Sequence, residues 1–269
     1  MAAYDYNINP KNLATQTVMF AIGSTLLHSA ACIINDICDR DIDGQIDRTK
    51  NRPLVVGTIP LRGAWMLLAG MTISMLYLLS FANTTAKYYG ILGIFPLHAF
   101  YPLMKRWTYW PQAWLGLAMN WGIIVAYTNV SGGHLSAHVI AFFIGTICWT
   151  IVYDTIYGCQ DKENDIKVGV KSTSILFGDR VREILAVFAL VFMACMIYAG
   201  LRNGHGSYFF LVSCGGAALH LAWQILTWRI HDRDDCGDKF KSNGNMGYII
   251  WAGLLLDYWK KWGHISATS

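Results

Sequence analysis

Two segments of the chain concentrate acidic side chains directly after long apolar runs. The first covers residues 35–54 and spaces four of its five aspartates by three, four and four positions. These aspartates are Asp36, Asp39, Asp43 and Asp47. On a helix this spacing places the carboxylates on one face, where they repel one another. The array therefore indicates either a bound cation or a solvated helix end whose acids pair with neighbouring Arg and Lys.

The second segment, residues 154–173, repeats the spacing with Asp154, Tyr157, Asp161 and Asp165. Asp154 and Tyr157 still belong to the preceding apolar run, where an ionisable residue is costly and usually functional. Each segment then continues into cationic and hydroxyl residues. Two matched arrays favour an internal duplication that faces one cavity over two separate solvated helix ends.

The chemistry that these side chains favour is the binding of a diphosphate through Mg2+. Carboxylate oxygens, with the amide of Asn35 and no His or Cys ligand set, are typical of Mg2+ sites. The flanking cations can bind the same phosphate oxygens, Arg through its planar fork and Lys as a point charge. Seven cysteines, an odd number without a CxxC pair, indicate neither a disulfide framework nor a zinc site. Two Mg2+ ions, one for each array, would bridge the diphosphate.

The elements that must position these arrays are membrane spans. Hydrophobic residues make up 54% of the chain, charged residues only 14%, and the mean hydropathy is +0.34, whereas soluble proteins average about 25% charged residues. The uncharged run from Gly63 to Ala82 can cross a hydrocarbon core of about 30 Å. Because backbone polar groups in lipid must be satisfied internally, the predicted fold class is an all-α integral-membrane bundle. Its eight predicted spans are residues 12–34, 63–82, 88–103, 111–130, 136–157, 184–201, 207–228 and 246–259.

The orientation of the bundle follows from the Lys and Arg residues between the spans. Alternate segments carry 16 such residues on one side of the membrane and 5 on the other. The positive-inside rule therefore places both acidic segments on the cytosol-like or matrix-like face. The net charge of +4 is concentrated in these loops, so no nucleic-acid partner is needed to explain it.

The two acidic segments resemble the paired signatures of the UbiA superfamily of intramembrane prenyltransferases, in particular the 4-hydroxybenzoate polyprenyltransferases. Similar positions follow in order along nearly the whole chain. They are Asn35-Asp36-x-x-Asp39-x-x-x-Asp43 with Gly44, Arg48-Thr49, Arg52-Pro53-Leu54, Tyr101-Pro102-Leu103-Met104-Lys105-Arg106, Asp154-x-x-Tyr157-x-x-x-Asp161-x-x-x-Asp165 and Lys171-Ser172-Thr173.

The resemblance implies a nine-helix bundle around a central cavity, in which Mg2+ holds an allylic polyprenyl diphosphate whose isoprenoid is transferred to an aromatic ring. It implies that Tyr157 contacts the diphosphate or the allylic cation. The implied metal-site residues are Asn35, Asp36, Asp39, Asp43, Asp154, Asp161 and Asp165. The residues implied to bind the diphosphate or the acceptor are Asn35, Arg48, Lys105, Arg106 and Lys171.

The chain departs from the family pattern at its start, because only eleven residues precede the first predicted span. We therefore expect one domain, residues 1–269, that lacks the first of the nine helices. The N-terminal residues do not have the Arg-rich, acid-poor character of a transit peptide. The expected location is a multi-pass position in the mitochondrial inner membrane or the endoplasmic reticulum of a eukaryote.

Three other functions share part of this pattern. A terpene cyclase of the same superfamily would use the same metal site without an acceptor. A cation-coupled transporter could line a pathway with carboxylates, although these arrays lie at helix ends beside cationic residues. A CDP-alcohol phosphotransferase has both halves of its aspartate motif close together, whereas these arrays lie more than 100 residues apart. Within the prenyltransferase interpretation, the acceptor stays open between a quinone precursor and a phenol of meroterpenoid biosynthesis.

Overall fold

Helices are the only regular secondary structure among the described residues, which contain no strand. The computed structural model describes residues 1–46 and 49–268. Its α-helices are α1 (Ala2–Asp5), α2 (Pro10–Asp43), α3 (Leu61–Leu79), α4 (Thr84–Leu92), α5 (Ala99–Trp107), α6 (Pro111–Met119), α7 (Gly122–Val130), α8 (Ala137–Gly158), α9 (Lys162–Val168), α10 (Thr173–Leu176), α11 (Val181–Arg202), α12 (Gly215–Thr227) and α13 (Arg233–Thr268). Two π-helical segments, Gly93–His98 and Phe209–Cys214, and a 3-10 turn, Gly178–Arg180, complete the set. The predicted all-α class is confirmed.

Five of the described helical stretches are long and apolar enough to cross a membrane. They are Pro10–Asp43, Leu61–Leu79, Ala137–Gly158, Gly178–Arg202 and Phe209–Thr227. The protein is therefore an integral membrane protein, but the predicted number of eight spans is not confirmed. The three remaining predicted spans fall on helical segments that are interrupted or carry more polar residues: 88–103, 111–130 and 246–259.

The interruptions have local causes. Pro96 has no backbone N–H, and the chain passes it as the π-helical segment between α4 and α5. The stretch from residue 111 to 130 breaks between α6 and α7, where the Asn120 side chain donates to the carbonyl of Gly116 at 2.9 Å. Both breaks lie beside a large cavity, whose wall includes Gly93 and Asn120.

The core of the bundle surrounds α8, which packs against α6, α7, α11 and α13. Val152 and Ile156 of α8 are fully buried in one apolar cluster with Phe192 of α11. The two helices approach closely, since a Cβ atom on Gly145 would lie 2.8 Å from the Cβ atom of Cys195. This packing fixes α8 and therefore the acidic residues at its C-terminal end.

The other acidic array is carried by α2, which packs against α3 and α5. Its N-terminus is capped by Asn9, whose side chain accepts a hydrogen bond from the backbone N–H of Asn12 at 2.9 Å, and Pro10 occupies the first turn. The C-terminal ends of α2 and α8 line the same pocket. The fold thus brings together two arrays that are distant in sequence.

Candidate active site

The first array occupies the last turns of α2. Asp39 and Asp43 are buried, with exposed fractions of 0% and 5%. Arg52 follows in the turns after α2, and its Nη1 donates to Oδ1 of Asp36 and Oδ2 of Asp43, each at 2.7 Å. The Thr49 hydroxyl donates to the carbonyl of Asp43 at 3.0 Å and ties this segment to the helix end. One guanidinium therefore bridges two carboxylates of the array, with one positive charge against two negative ones.

The end of α5 supplies further cations. Nζ of Lys105 pairs with Oδ2 of Asp39. Nη2 of Arg106 donates to the carbonyl of Cys38 at 2.7 Å and lies 4.0 Å from Oδ1 of Asp39. Within the described residues, that buried Oδ1 atom has no hydrogen-bond partner. Because a buried unsatisfied oxygen is destabilising, this atom is a candidate ligand for a cation.

The second array is not carried by one continuous helix. Asp154 and Tyr157 lie on the last turns of α8, which ends at Gly158, whereas Asp161 precedes α9 and Asp165 lies within it. The repeat of the spacing therefore does not produce a single helical face here. Nη2 of Arg233, at the start of α13, donates to Oδ1 of Asp161 at 3.0 Å.

The thiols beside the second array are poor nucleophiles. Burial, with a smaller contribution from Cys236, raises the pKa of Cys159 to about 12. Burial also raises the pKa of Cys236, whose sulfur accepts a hydrogen bond from Trp228 Nε1 at 3.1 Å. Both thiols therefore stay protonated at neutral pH. Since the thiolate is the reactive form, neither thiol is a good nucleophile.

The two arrays meet in a polar pocket of about 190 Å3. The predicted site residues that line it are Asn35, Asp39, Asp43, Lys105, Asp154, Tyr157, Asp161, Asp165 and Lys171. Asp36 instead lines the adjoining cavity, and the Arg106 side chain is held by the Cys38 carbonyl. Arg48 and Asp47 lie outside the described residues.

Two loops are joined at the basic side of the pocket. The backbone N–H of Lys171 donates to the carbonyl of Lys105 at 2.9 Å, and the backbone N–H of Thr173 donates to Oε1 of the buried Gln112 at 3.0 Å. The hydroxyls of Thr155 and Thr173 lie 2.6 Å apart and tie the second loop to α8. These contacts hold both lysines at one wall of the pocket.

A cavity of about 1160 Å3 adjoins the polar pocket. Tyr101, Asp154 and Tyr157 line both spaces. Along α2 the larger cavity extends from Asn35 to Gln16, about 28 Å on a helix and close to the thickness of a hydrocarbon core, about 30 Å. Most of its wall consists of apolar and aromatic side chains. The site thus combines a polar pocket that is lined by charged side chains with a long apolar cavity.

The donor set of the pocket fits Mg2+. Carboxylates and one amide surround the pocket, yet no group of three His, Cys, Asp or Glu side chains in the described part of the chain is close enough to hold a metal on its own. Mg2+ commonly takes one or two carboxylates, keeps several waters and bridges to substrate phosphates. The arrangement therefore fits an ion shared with a phosphate better than a closed protein cage.

Comparison with protein families matches residues 1–249 to the UbiA prenyltransferase family. The chain belongs to this family. It is 44% identical over 236 residues to the UbiA prenyltransferase claS of Ampulloclitocybe clavipes, covering 87% of this chain and 75% of that protein. It is 36% identical over 263 residues to the mitochondrial 4-hydroxybenzoate polyprenyltransferase of Schizosaccharomyces pombe, covering 97% and 73%.

Solved structures share the UbiA fold. A UbiA homologue from Aeropyrum pernix, in its apo form, superposes with a TM-score of 0.79 at 23% identity and covers 95% of this chain and 96% of its own. A homologue from Archaeoglobus fulgidus, bound to DMAPP and Mg2+, gives a TM-score of 0.70 at 17% identity, with 94% and 91% covered. At sequence identities of 23% and 17%, the structural similarity establishes the fold alone.

Several side chains at or beside this UbiA-type pocket were not among the predicted binding residues, among them Arg52, Tyr101 and Arg233. Arg52 could have been found, since it belongs to the tripeptide Arg52-Pro53-Leu54 that matches the family. Tyr101 likewise begins the matching segment that ends at Arg106. Arg233 carries no such signal, because its contact with Asp161 joins positions 72 residues apart.

Proposed function

We propose that this protein transfers a prenyl group from an allylic polyprenyl diphosphate to an aromatic acceptor, with Mg2+ as cofactor. The observation that carries the proposal is the union of a pocket lined by acidic and basic side chains with a long apolar cavity. A diphosphate with an isoprenoid tail needs both parts. The names of the relatives, among them 4-hydroxybenzoate polyprenyltransferases, and the DMAPP and Mg2+ bound to the Archaeoglobus homologue agree with it.

The acidic arrays would hold the cofactor. Bound Mg2+ acts as a Lewis acid that stabilises the negative charge of the departing diphosphate. In this proposal two ions bind, one at each array. Asp39, Asp43, Asp161 and Asp165 are the principal proposed ligands. Asn35, Asp36 and Asp154 are the proposed supporting residues.

The cationic side chains would bind the diphosphate oxygens. Arg52, Lys105 and Lys171 line the pocket. Nη2 of Arg106 lies 4.0 Å from Oδ1 of Asp39, and Nη2 of Arg233 donates to Oδ1 of Asp161. Fixed positive charges at the point where charge develops stabilise the leaving group without reorganisation. These cations also balance the carboxylates before the substrate binds.

The aromatic junction between the two spaces would protect the allylic carbocation. The rings of Tyr157 and Phe240 have centroids 4.4 Å apart, and the ring of Tyr153 lies 5.8 Å from that of Phe240. All three line the large cavity. Aromatic faces attract a cation by about 0.5–2 kcal/mol each, and an apolar wall excludes the water that would quench it.

The acceptor in this proposal is a hydroxybenzoic acid or a related phenol. Residues 1–269 act as one prenyltransferase domain, and its acidic arrays face the cytosol or the mitochondrial matrix. The membrane is the mitochondrial inner membrane or the endoplasmic reticulum. Protease digestion of sealed, oriented vesicles tests the orientation, since the segment 228–232 should be cut only from the face that carries the arrays.

Reconstituted protein tests the activity. Several prenyl diphosphates are crossed with 4-hydroxybenzoate and other phenols in the presence of Mg2+, and products are identified by mass. Incubation with the diphosphate alone detects a cyclase. Asp39→Ala and Asp161→Ala should each abolish transfer, whereas Asp41→Asn, an exposed neighbour on the same helix, should leave it intact. Substantial transfer by both alanine variants would contradict the site.

A further inference from the structure

His98 presents an unsatisfied hydrogen-bond acceptor beside the reaction site. The residue closes the π-helical segment before α5 and is 4% exposed. Nδ1 of its ring lies 2.7 Å from the carbonyl oxygen of Gly93. Nε2 is buried and has no partner within the described residues. Native structures rarely leave such an atom unpaired.

The contact with Gly93 determines which ring nitrogen carries the proton. A carbonyl oxygen can only accept, so Nδ1 must donate. A charged ring is disfavoured, because no carboxylate of the described residues pairs with His98 and a buried unpaired charge is costly. The neutral ring therefore has its proton on Nδ1 and a free lone pair on Nε2. The missing partner must be a hydrogen-bond donor.

The position of His98 places its ring near the reacting carbon. The carbon attacked in the donor is bonded to the diphosphate, and so lies where the polar pocket meets the large cavity. Tyr101 lines that junction, and His98 lines the large cavity three residues earlier on the same helix face. One helical turn, about 5 Å, separates them along the helix axis.

Of the two proposed substrates, only one can supply the donor. An allylic polyprenyl diphosphate offers an anion that accepts hydrogen bonds and a hydrocarbon tail that makes none. The aromatic acceptor carries an O–H group. Two other polar side chains of the cavity wall already make hydrogen bonds within the protein: Asn120 donates to the Thr150 hydroxyl at 2.9 Å, and Asn129 accepts from the backbone N–H of Asn83 at 3.0 Å.

We propose that His98 binds the aromatic acceptor by accepting a hydrogen bond from its phenolic hydroxyl at Nε2. The inference rests on the proposed prenyl transfer and names the group that recognises its second substrate. The hydrogen bond orients the ring and leaves more electron density on the carbon beside the hydroxyl. The donor C–O bond breaks with its electron pair on the diphosphate, and that ring carbon attacks the allylic carbocation to form the C–C bond. The same ring carbon then passes its proton to an oxygen of the departed diphosphate. The phenol keeps its own proton throughout.

A substrate pair and a residue pair together test this role. Transfer is measured to a phenol and to its methyl ether, which has a similar ring but no O–H donor. We expect wild-type kcat/KM to favour the phenol about tenfold, the effect of one hydrogen bond to the reacting molecule. His98→Phe should remove this preference while the KM for the prenyl diphosphate stays unchanged. His98→Gln, which can place an amide oxygen near the position of Nε2, should restore part of it.

His220→Phe is the matched control, since His220 is a partly buried membrane histidine on α12 that does not line the cavity. It should keep the wild-type preference. If the wild type transfers prenyl groups but uses phenol and ether equally, or if His98→Phe keeps the wild-type preference, the role of His98 is overturned and prenyl transfer stands. If the wild type prenylates no aromatic compound, the proposed function itself fails. Should His98→Phe not fold, the wild-type comparison and His98→Gln still decide.

Discussion

Replacement of Lys105 by methionine tests whether this side chain neutralises a buried carboxylate. The Lys105 side chain is 24% exposed and that of its partner Asp39 only 1%. Methionine keeps most of the apolar stem and removes the charge. Breaking a buried ion pair costs about 3–5 kcal/mol, and because Lys105 is partly solvated we expect the lower end, about 3 kcal/mol. For a chain of this size, that is a fall of about 6–12 °C in the melting temperature.

The assay is thermal melting of the detergent-solubilised protein without Mg2+, for Lys105→Met, Asp39→Asn and the double variant. Asp39→Asn removes the charge that would be left alone, so the double variant should melt close to the Asp39→Asn single variant. The cycle then isolates a coupling of about 3 kcal/mol. Lys167→Met is the control, since Lys167 is exposed on α9 and should change the free energy of unfolding by about 0.5 kcal/mol at most. The reasoning is refuted if Lys105→Met melts like the control, or if its loss is equally large in the Asp39→Asn background.

Three further outcomes follow from the same contacts. Arg233→Gln should raise the KM for the prenyl diphosphate about fivefold, because an exposed ion pair contributes up to ~1 kcal/mol, and should leave the melting temperature nearly unchanged; an unaltered KM would remove Arg233 from the site. Mg2+ and inorganic diphosphate together should raise the melting temperature more than the sum of their separate effects, whereas additive shifts would mean independent sites. Gly116→Ala should destabilise the protein by about 1–3 kcal/mol, since its Cβ atom would lie 3.0 Å from the Cα atom of Ile147. The control Gly122→Ala has open space at that position and should melt like the wild type. Equal melting temperatures of the two variants would contradict the close packing of α6 on α8.

The features of the site that could be predicted are those determined by the spacing of residues that are close in sequence. Both acidic arrays follow apolar runs and carry their basic residues within about twenty positions, so their nature and their shared membrane side can be inferred from the chain alone. The meeting of the two arrays could also be predicted, because two matched arrays on the same side of the membrane are expected to face one cavity. Nine of the twelve predicted site residues line the pocket.

The remaining features depend on tertiary contacts or on small backbone changes. The break between Gly158 and Lys162, which separates the second array into two helices, has only a weak signal, since glycine also occurs inside membrane helices. The division of residues 88–103 into three segments was hidden by its continuous apolar character, although Pro96 marks the place. The contact of Arg233 with Asp161 arises only when α13 packs beside α8, and no local pattern encodes it.

The ion pairs of the pocket explain how one small space can hold so many charges before any substrate arrives. The pairs are Arg52 with Asp36 and Asp43, Lys105 with Asp39, and Arg233 with Asp161. A cation that enters alone must displace a lysine or arginine from its carboxylate, and a diphosphate that enters alone must take that lysine or arginine away from the same carboxylate. When both enter together, the carboxylates gain the metal ion and the basic side chains gain the phosphate oxygens, so no charge is left uncompensated. The resting ion pairs therefore favour the joint binding of Mg2+ and diphosphate over either alone, which couples the formation of the catalytic site to the presence of the substrate.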